Sequence, residues 1–200
     1  MRRASGEPAK RADDAATTDD AGERTPHQRR APVRRLDTVR PLTEDEIRAS
    51  FVNGSADELE HLALPVRIML TEWENVDVVG WRDPKARQRG YLLVERDGEV
   101  NGIVVRAAET TMPRGRSAQC SLCHTLQPAD QVSLFSARRA GPAGERGDSV
   151  GTYICADLSC SDTVHLPTPL TPLEVRARGT ARSAGLARRA AGFVGSVIGS

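Results

Sequence analysis

The chain holds four cysteines, placed as two pairs: Cys120-Ser121-Leu122-Cys123 and Cys155-Ala156-Asp157-Leu158-Ser159-Cys160, with 31 residues between the pairs. Two residues between thiols let a tight turn aim both sulfurs at one tetrahedral ion, and a second pair returning from a distance supplies the other two ligands. Whatever the chain folds into must bring residues 120–123 and 155–160 to one point. A lone CxxC also suits a redox dithiol, but that reading needs a βαβ setting and no second pair. Four thiolates leave no coordination position for an activated water, so the expected ion is one structural Zn2+ held by Cys120, Cys123, Cys155 and Cys160. The sequence has no nucleophile elbow, no glycine-rich phosphate loop ending in Lys-Ser/Thr and no HExxH. No enzymatic activity is expected from it. His124 abuts Cys123, which makes ligation by both awkward. It is read as a neighbouring or surface group, His165 as a helix-surface residue, and His27 and His61 as ordinary exposed residues.

The residues around the cysteines give the pairs a setting. Gln119-Cys120-Ser121-Leu122-Cys123-His124 reads as a zinc knuckle, a turn whose backbone amides point at sulfur. Residues 131–139 read as a strand with a basic far end, Arg138-Arg139. Residues 140–148 hold three glycines and a proline and read as a loop, and residues 149–155 as the returning strand. Cys160 then falls at the start of a short helix over 161–166. Knuckle, hairpin, then a cysteine opening a helix is the order of a treble-clef zinc finger, expected here over 111–168. Thiolates near a helix N-terminus also gain from its dipole.

Composition sets this finger in a lean chain. Hydrophobic residues are 38%, aromatics 4% and mean hydropathy −0.43 over 200 residues, room for one moderate domain or two small ones plus tails. Residues 1–38 offer only Val33 and Leu36 as sizeable apolar side chains after Met1. Too little apolar area is available there to offset the entropy of ordering, and a disordered tail is expected. Residues 41–110 carry fourteen acidic against eight basic side chains, while 171–200 carry one against five. An acidic body thus has basic ends, which leaves room for a weak RNA contact through those ends. No apolar stretch approaches the roughly 20 residues that span a bilayer, and the N-terminus lacks an apolar signal region. Thiols at metal spacing suit a reducing compartment, so a cytoplasmic protein without membrane contact or small-molecule substrate is expected.

Order is expected from residue 41. Thr43 with Glu46, and Ser55 with Glu58, are capping boxes that start two short helices, and Pro65 stops or bends the second. Gly80 and Asp83-Pro84 read as turns around Trp81, a core or interface anchor. Residues 91–106 place two apolar, β-branched runs on either side of Asp97-Gly98, a hairpin signal with a mechanism, because glycine tolerates the positive φ of the turn. Residues 41–110 thus form a small α+β portion. Residues 169–200 carry a further capping box at Thr171-Pro172-Leu173-Glu174. Leu173, Leu186, Phe193, Val197 and Ile198 are its apolar points, and Arg176, Arg178, Arg182, Arg188 and Arg189 its basic face. Gly179, Gly185, Gly192 and Gly195 weaken it, so a partly frayed amphipathic helix is expected. The class is α+β: short helices and a hairpin, then the four-cysteine finger and a terminal helix.

Four segments also resemble a known family. They are residues 41–53, Gly80-Trp81-Arg82-Asp83-Pro84-Lys85, the CxxC, and Val150-Gly151-Thr152-Tyr153-Ile154-Cys155 running on to Cys160. Together they resemble the bacterial elongation-factor-G-binding proteins of the fusidic-acid-resistance type, most nearly their actinobacterial branch, over about residues 41–165. The resemblance implies a C-terminal treble clef with Cys120, Cys123, Cys155 and Cys160 as zinc ligands. It further implies binding to elongation factor G and release of the factor trapped on the ribosome. Tyr153 matches an aromatic that the family uses near its partner surface; a strand residue in that place can equally be a hairpin-face core residue. Phe135, Arg138 and Arg139 lie on the other hairpin strand and are placed beside that surface by position alone. The chain departs from the family in its tail and in lacking an evident long helical bundle at the N-terminal end. Two rivals stand beside factor binding: a zinc finger for rRNA or DNA, with steep salt dependence, and a redox switch.

Overall fold

Asp97 and Gly98 both lie at positive φ, 54° and 85°, the type I′ geometry whose twist matches that of the strands it joins. The turn connects β2 (Arg89–Arg96) to β3 (Glu99–Ala107), which pair antiparallel from Arg96↔Glu99 to Arg89↔Arg106. This hairpin seeds a five-stranded sheet. Strand β1 (Val79–Arg82) adds beside β2. Beyond β3 come β6 (Val132–Arg138) and β7 (Ser149–Cys155), so the order is β1-β2-β3-β6-β7 with every pairing antiparallel. The intervening β4 (Ser117–Gln119) and β5 (Leu126–Pro128) form a separate two-stranded ribbon. The computed structural model describes residues 40–165 and 172–199 except Glu72, Glu74, Asn75, Thr111 and Arg114, with the side chains of the last helix described from Arg182 onward. The tail expected over 1–38 and the cap expected at Thr171 lie outside the described residues.

Both faces of the central hairpin are buried, which explains why its strands read as unbroken apolar runs rather than as alternation. Tyr91, Leu93 and Val104 point into one cluster with Ile47, Phe51, Leu62, Ile68, Val79 and Trp81. Leu92, Val94, Ile103 and Val105 point into the other, which also holds all four cysteines, Phe135, Ile154 and Leu158. The first face is covered by α1 (Glu44–Ala49), α2 (Ala56–Glu60) and α3 (Val66–Met69). The reciprocal caps Thr43/Glu46 and Ser55/Glu58 are formed, and Pro65 sits at the N-cap of α3. Phe51, Trp81 and Tyr91 meet there with ring centroids 5.0–6.4 Å apart.

The second face is covered by the finger and by α6 (Pro172–Ile198). Leu186, Ala190, Val194 and Val197 of α6 are buried, a stripe at i, i+4, i+8 and i+11. Gly185 and Gly192 lie inside this continuous helix, whose stability therefore comes from packing rather than from propensity. No helix among the described residues is long and apolar enough to cross a membrane.

Two local expectations are corrected. Gly80 is not a turn but the second residue of β1: a Cβ there would come 2.4 Å from the Leu158 carbonyl oxygen, so glycine serves close packing instead. The loop expected over 140–148 contains α4 (Gly141–Glu145), with Pro142 in its first turn, where a missing N–H costs nothing. The two portions expected on either side of residue 110 share one sheet, because β3 pairs with β6.

Candidate metal centre

The four cysteines arrive on three kinds of support: a turn, a strand end and a helix start. Cys120 and Cys123 sit on the turn between β4 and β5. That turn is closed by His124 N–H donating to the Cys120 carbonyl at 2.9 Å and by Cys120 N–H donating to the Thr125 carbonyl at 3.1 Å. His124 takes φ 56° to turn the chain back. Cys155 ends β7, and Cys160 opens α5 (Cys160–His165). Between them Leu158 adopts φ 64° and is 1% exposed. It is seated on the bare backbone of Gly80 and Gly90, where an added Cβ would meet it at 2.4 Å and 2.5 Å. The four-residue spacer is thereby pinned to β1 and β2, which holds Cys160 over Cys120.

The four Sγ atoms lie within 4.8 Å of one another. The Cys120–Cys160 and Cys123–Cys155 separations are both 3.6 Å. A tetrahedron with Zn–S bonds of about 2.3 Å has edges of about 3.8 Å, so the thiols present fit the ion, whereas a disulfide needs sulfurs about 2.05 Å apart. All four cysteines are free and at most 2% exposed. Further donors face the sulfurs: Cys123 N–H toward Cys120 at 3.4 Å and the Gln127 side-chain amide toward Cys155 at 3.1 Å. Four clustered thiols cannot ionise alike. Hydrogen bonds from Cys120, Cys155 and Cys160 push Cys123 down, and those to Cys120, Cys123 and Cys155 push Cys160 up. A divalent cation lifts that conflict by stabilising all four thiolates at once. The set holds one structural zinc ion.

The match to family models decides the identity. The model for the FBP C-terminal treble-clef zinc finger matches residues 46–197. The chain belongs to that family. The family match begins at Glu46, within α1, and so takes in the whole five-stranded sheet and α6 as well as the finger. Among solved structures, that of the fusidic acid resistance protein FusC is similar, with a TM-score of 0.51 at 14% identity, over 81% of this chain. The likeness is one of fold, and it spans 61% of the FusC chain. No curated protein matches the sequence.

In this treble clef the residues expected at a partner surface part company. Tyr153 is 44% exposed, directly across from Leu134 at 38%. Its carbonyl accepts the Ser121 N–H at 2.8 Å, which ties its backbone to the knuckle. Phe135, expected to flank that surface, is instead 0% exposed, because the pleat turns it inward, where its ring takes the Arg82 guanidinium at 5.0 Å. Arg139 is occupied within the fold: its guanidinium donates to the Ser196 carbonyl at 2.8 Å, near the end of α6. Arg138 is exposed and reaches the Asn53 carbonyl at 3.4 Å. His124 and His165 are exposed and are not members of the metal ligand set, and His165 approaches the buried Asp77 at 3.3 Å. Sequence reading missed the parts that Gln127, Leu158 and Arg189 play at this site; the last donates to the Leu122 carbonyl inside the CxxC. None carries a local signal, since each acts through a contact distant in sequence.

Proposed function

We propose that this chain is a non-enzymatic binding protein for elongation factor G, which promotes release of the factor from the ribosome. The observation that carries the reading is the zinc-fastened hairpin face: Leu134 and Tyr153 stand exposed side by side, and Tyr153 is bonded through its backbone to the knuckle that the ion closes. Membership of the treble-clef family and the fold likeness to a fusidic acid resistance protein support it. An aromatic and a leucine on a rigid strand pair lose little side-chain freedom on binding, so most of their apolar burial goes into affinity. Preference for one conformation of the factor would then shift its population toward the dissociating state, without any covalent step.

The test is titration of the zinc-loaded full chain with purified elongation factor G, alongside Tyr153→Ala. The exposed side chain belongs to neither buried cluster, so the variant should keep its zinc and melting temperature yet bind about tenfold more weakly. A wild-type chain that ignores the factor but binds ribosomal RNA with steep salt dependence would replace this reading with the nucleic-acid one.

A further inference from the structure

A zinc ion with four thiolates carries two net negative charges, and this site is buried on the inner side of the sheet. A buried charge of that size needs compensation. Two basic residues of α6 reach the knuckle. The Arg189 guanidinium donates through Nε to the Leu122 carbonyl at 2.5 Å, between Cys120 and Cys123. It reaches the knuckle by lying over Gly185, one turn back on the same helix: a Cβ there would meet its Nη1 at 2.8 Å. The glycine thus opens the path that the side chain follows. Arg182, a further turn toward the N-terminal end, donates through Nη2 to the Thr125 hydroxyl at 3.4 Å, two residues past Cys123. Neither guanidinium has a carboxylate within ion-pair distance among the described residues.

We infer that Arg182 and Arg189 are the counter-charges of the zinc centre: the terminal helix supplies two fixed positive charges for the two negative ones, and so governs how firmly the ion is held. The roles are electrostatic positioning, since neither residue coordinates the metal. Guanidinium is the suitable group because it stays charged when partly buried and places directed donors on a carbonyl. Partners of this kind outside the ligand set alter metal affinity by about 10–100-fold when removed.

The experiment follows transfer of zinc from the full chain to a chromophoric chelator. Arg189→Gln should release zinc about tenfold faster than wild type, and the Arg182→Gln, Arg189→Gln double variant faster again. Arg189→Lys keeps the charge and should restore most of the retention. Leu62→Ala, which empties part of the cluster on the opposite face of the sheet, should lower stability and leave the release rate close to wild type. Equal release from Arg189→Gln and wild type would overturn the inference. So would Arg189→Lys losing zinc as fast as Arg189→Gln, which would leave a structural contact in place of a charge. Acceleration by Leu62→Ala of the same size would also overturn it, by making zinc loss a mere reporter of stability.

Discussion

Tyr91 shows how much one buried hydroxyl can organise. It is 0% exposed and donates to Asp83 Oδ2 at 2.8 Å. The Asp83 carboxylate in turn accepts the backbone N–H groups of Lys85 and Ala86 and faces Arg89 at 3.6 Å. Burial alone would raise Asp83, but the Lys85 amide, the Tyr91 hydroxyl, the Ala86 amide and Arg89 together bring it below the ordinary carboxylate value. Its contribution to stability is therefore present above that ordinary value and is lost as pH falls through the lowered one. Tyr91 moves the other way: burial, then the bond to Asp83, pushes it from 10.0 up to about 12. The folded state thus holds its proton longer than the unfolded state does. The stability this confers is complete below pH 10 and disappears as pH climbs through about 12. Tyr91→Phe should lower stability at neutral pH by about 1–2 kcal/mol, through the lost bond to a buried carboxylate. It should also flatten the alkaline limb of stability against pH, which urea titrations of both proteins between pH 9 and 12 would check. An alkaline limb of the same steepness in both would assign the loss to other groups.

At the scale of elements, the join between β3 and β6 depends on a residue belonging to neither strand. The two pair only at Arg106↔Ser136 and Ala107↔Phe135. Two residues further along that register Val104 would face Arg138, and there the carboxamide of Asn53 takes the place of the ladder. Its Nδ2 donates to the carbonyls of Val104 at 3.0 Å and Arg138 at 2.8 Å, and its Oδ1 accepts Val104 N–H at 2.8 Å. Asn53 is 7% exposed, so those backbone groups have little water to fall back on. Asn53→Ala should cost about 3 kcal/mol, read as a lower denaturant midpoint with unchanged slope. A loss under half that would mean that water fills the gap. The same logic makes Leu158 a structural member of the metal site. A leucine at positive φ over two glycines of neighbouring strands orders the spacer between Cys155 and Cys160, and that ordering lowers the entropy to be lost when the ion binds.

Over the whole molecule, the ion and the sheet hold different parts. The β2–β3 hairpin has its own turn and is packed on one face by a cluster that includes none of the cysteines. The knuckle, α5 and the underside of α6 meet around the metal. Chelation of zinc from the full chain should therefore strip hydrogen-exchange protection from residues 117–128 and 155–165 first, then from 186–198, and leave 91–94 and 102–105 protected longest. The proposed binding to elongation factor G should vanish with the first of these groups, because Tyr153 is fastened through Ser121. Simultaneous loss everywhere would mean that the metal supports one indivisible fold.

Much of this was legible without coordinates, and for one kind of reason. The four ligands, the Asp97-Gly98 turn and the reciprocal caps at Thr43/Glu46 and Ser55/Glu58 are written in windows of six residues or fewer, where backbone geometry and donor chemistry act at short range. What only the tertiary structure decided is everything that depends on an approach between distant segments. Phe135 went inward because β6 joined a sheet covered by α6, and Gly80 became a strand residue because Leu158 needed its space. Arg139 was taken up by the end of α6, and Arg189 came to face the cysteines only because that helix packs across the knuckle. Burial and partnership are properties of the assembled surfaces, and residue types with equal local preferences acquire different roles when those surfaces meet.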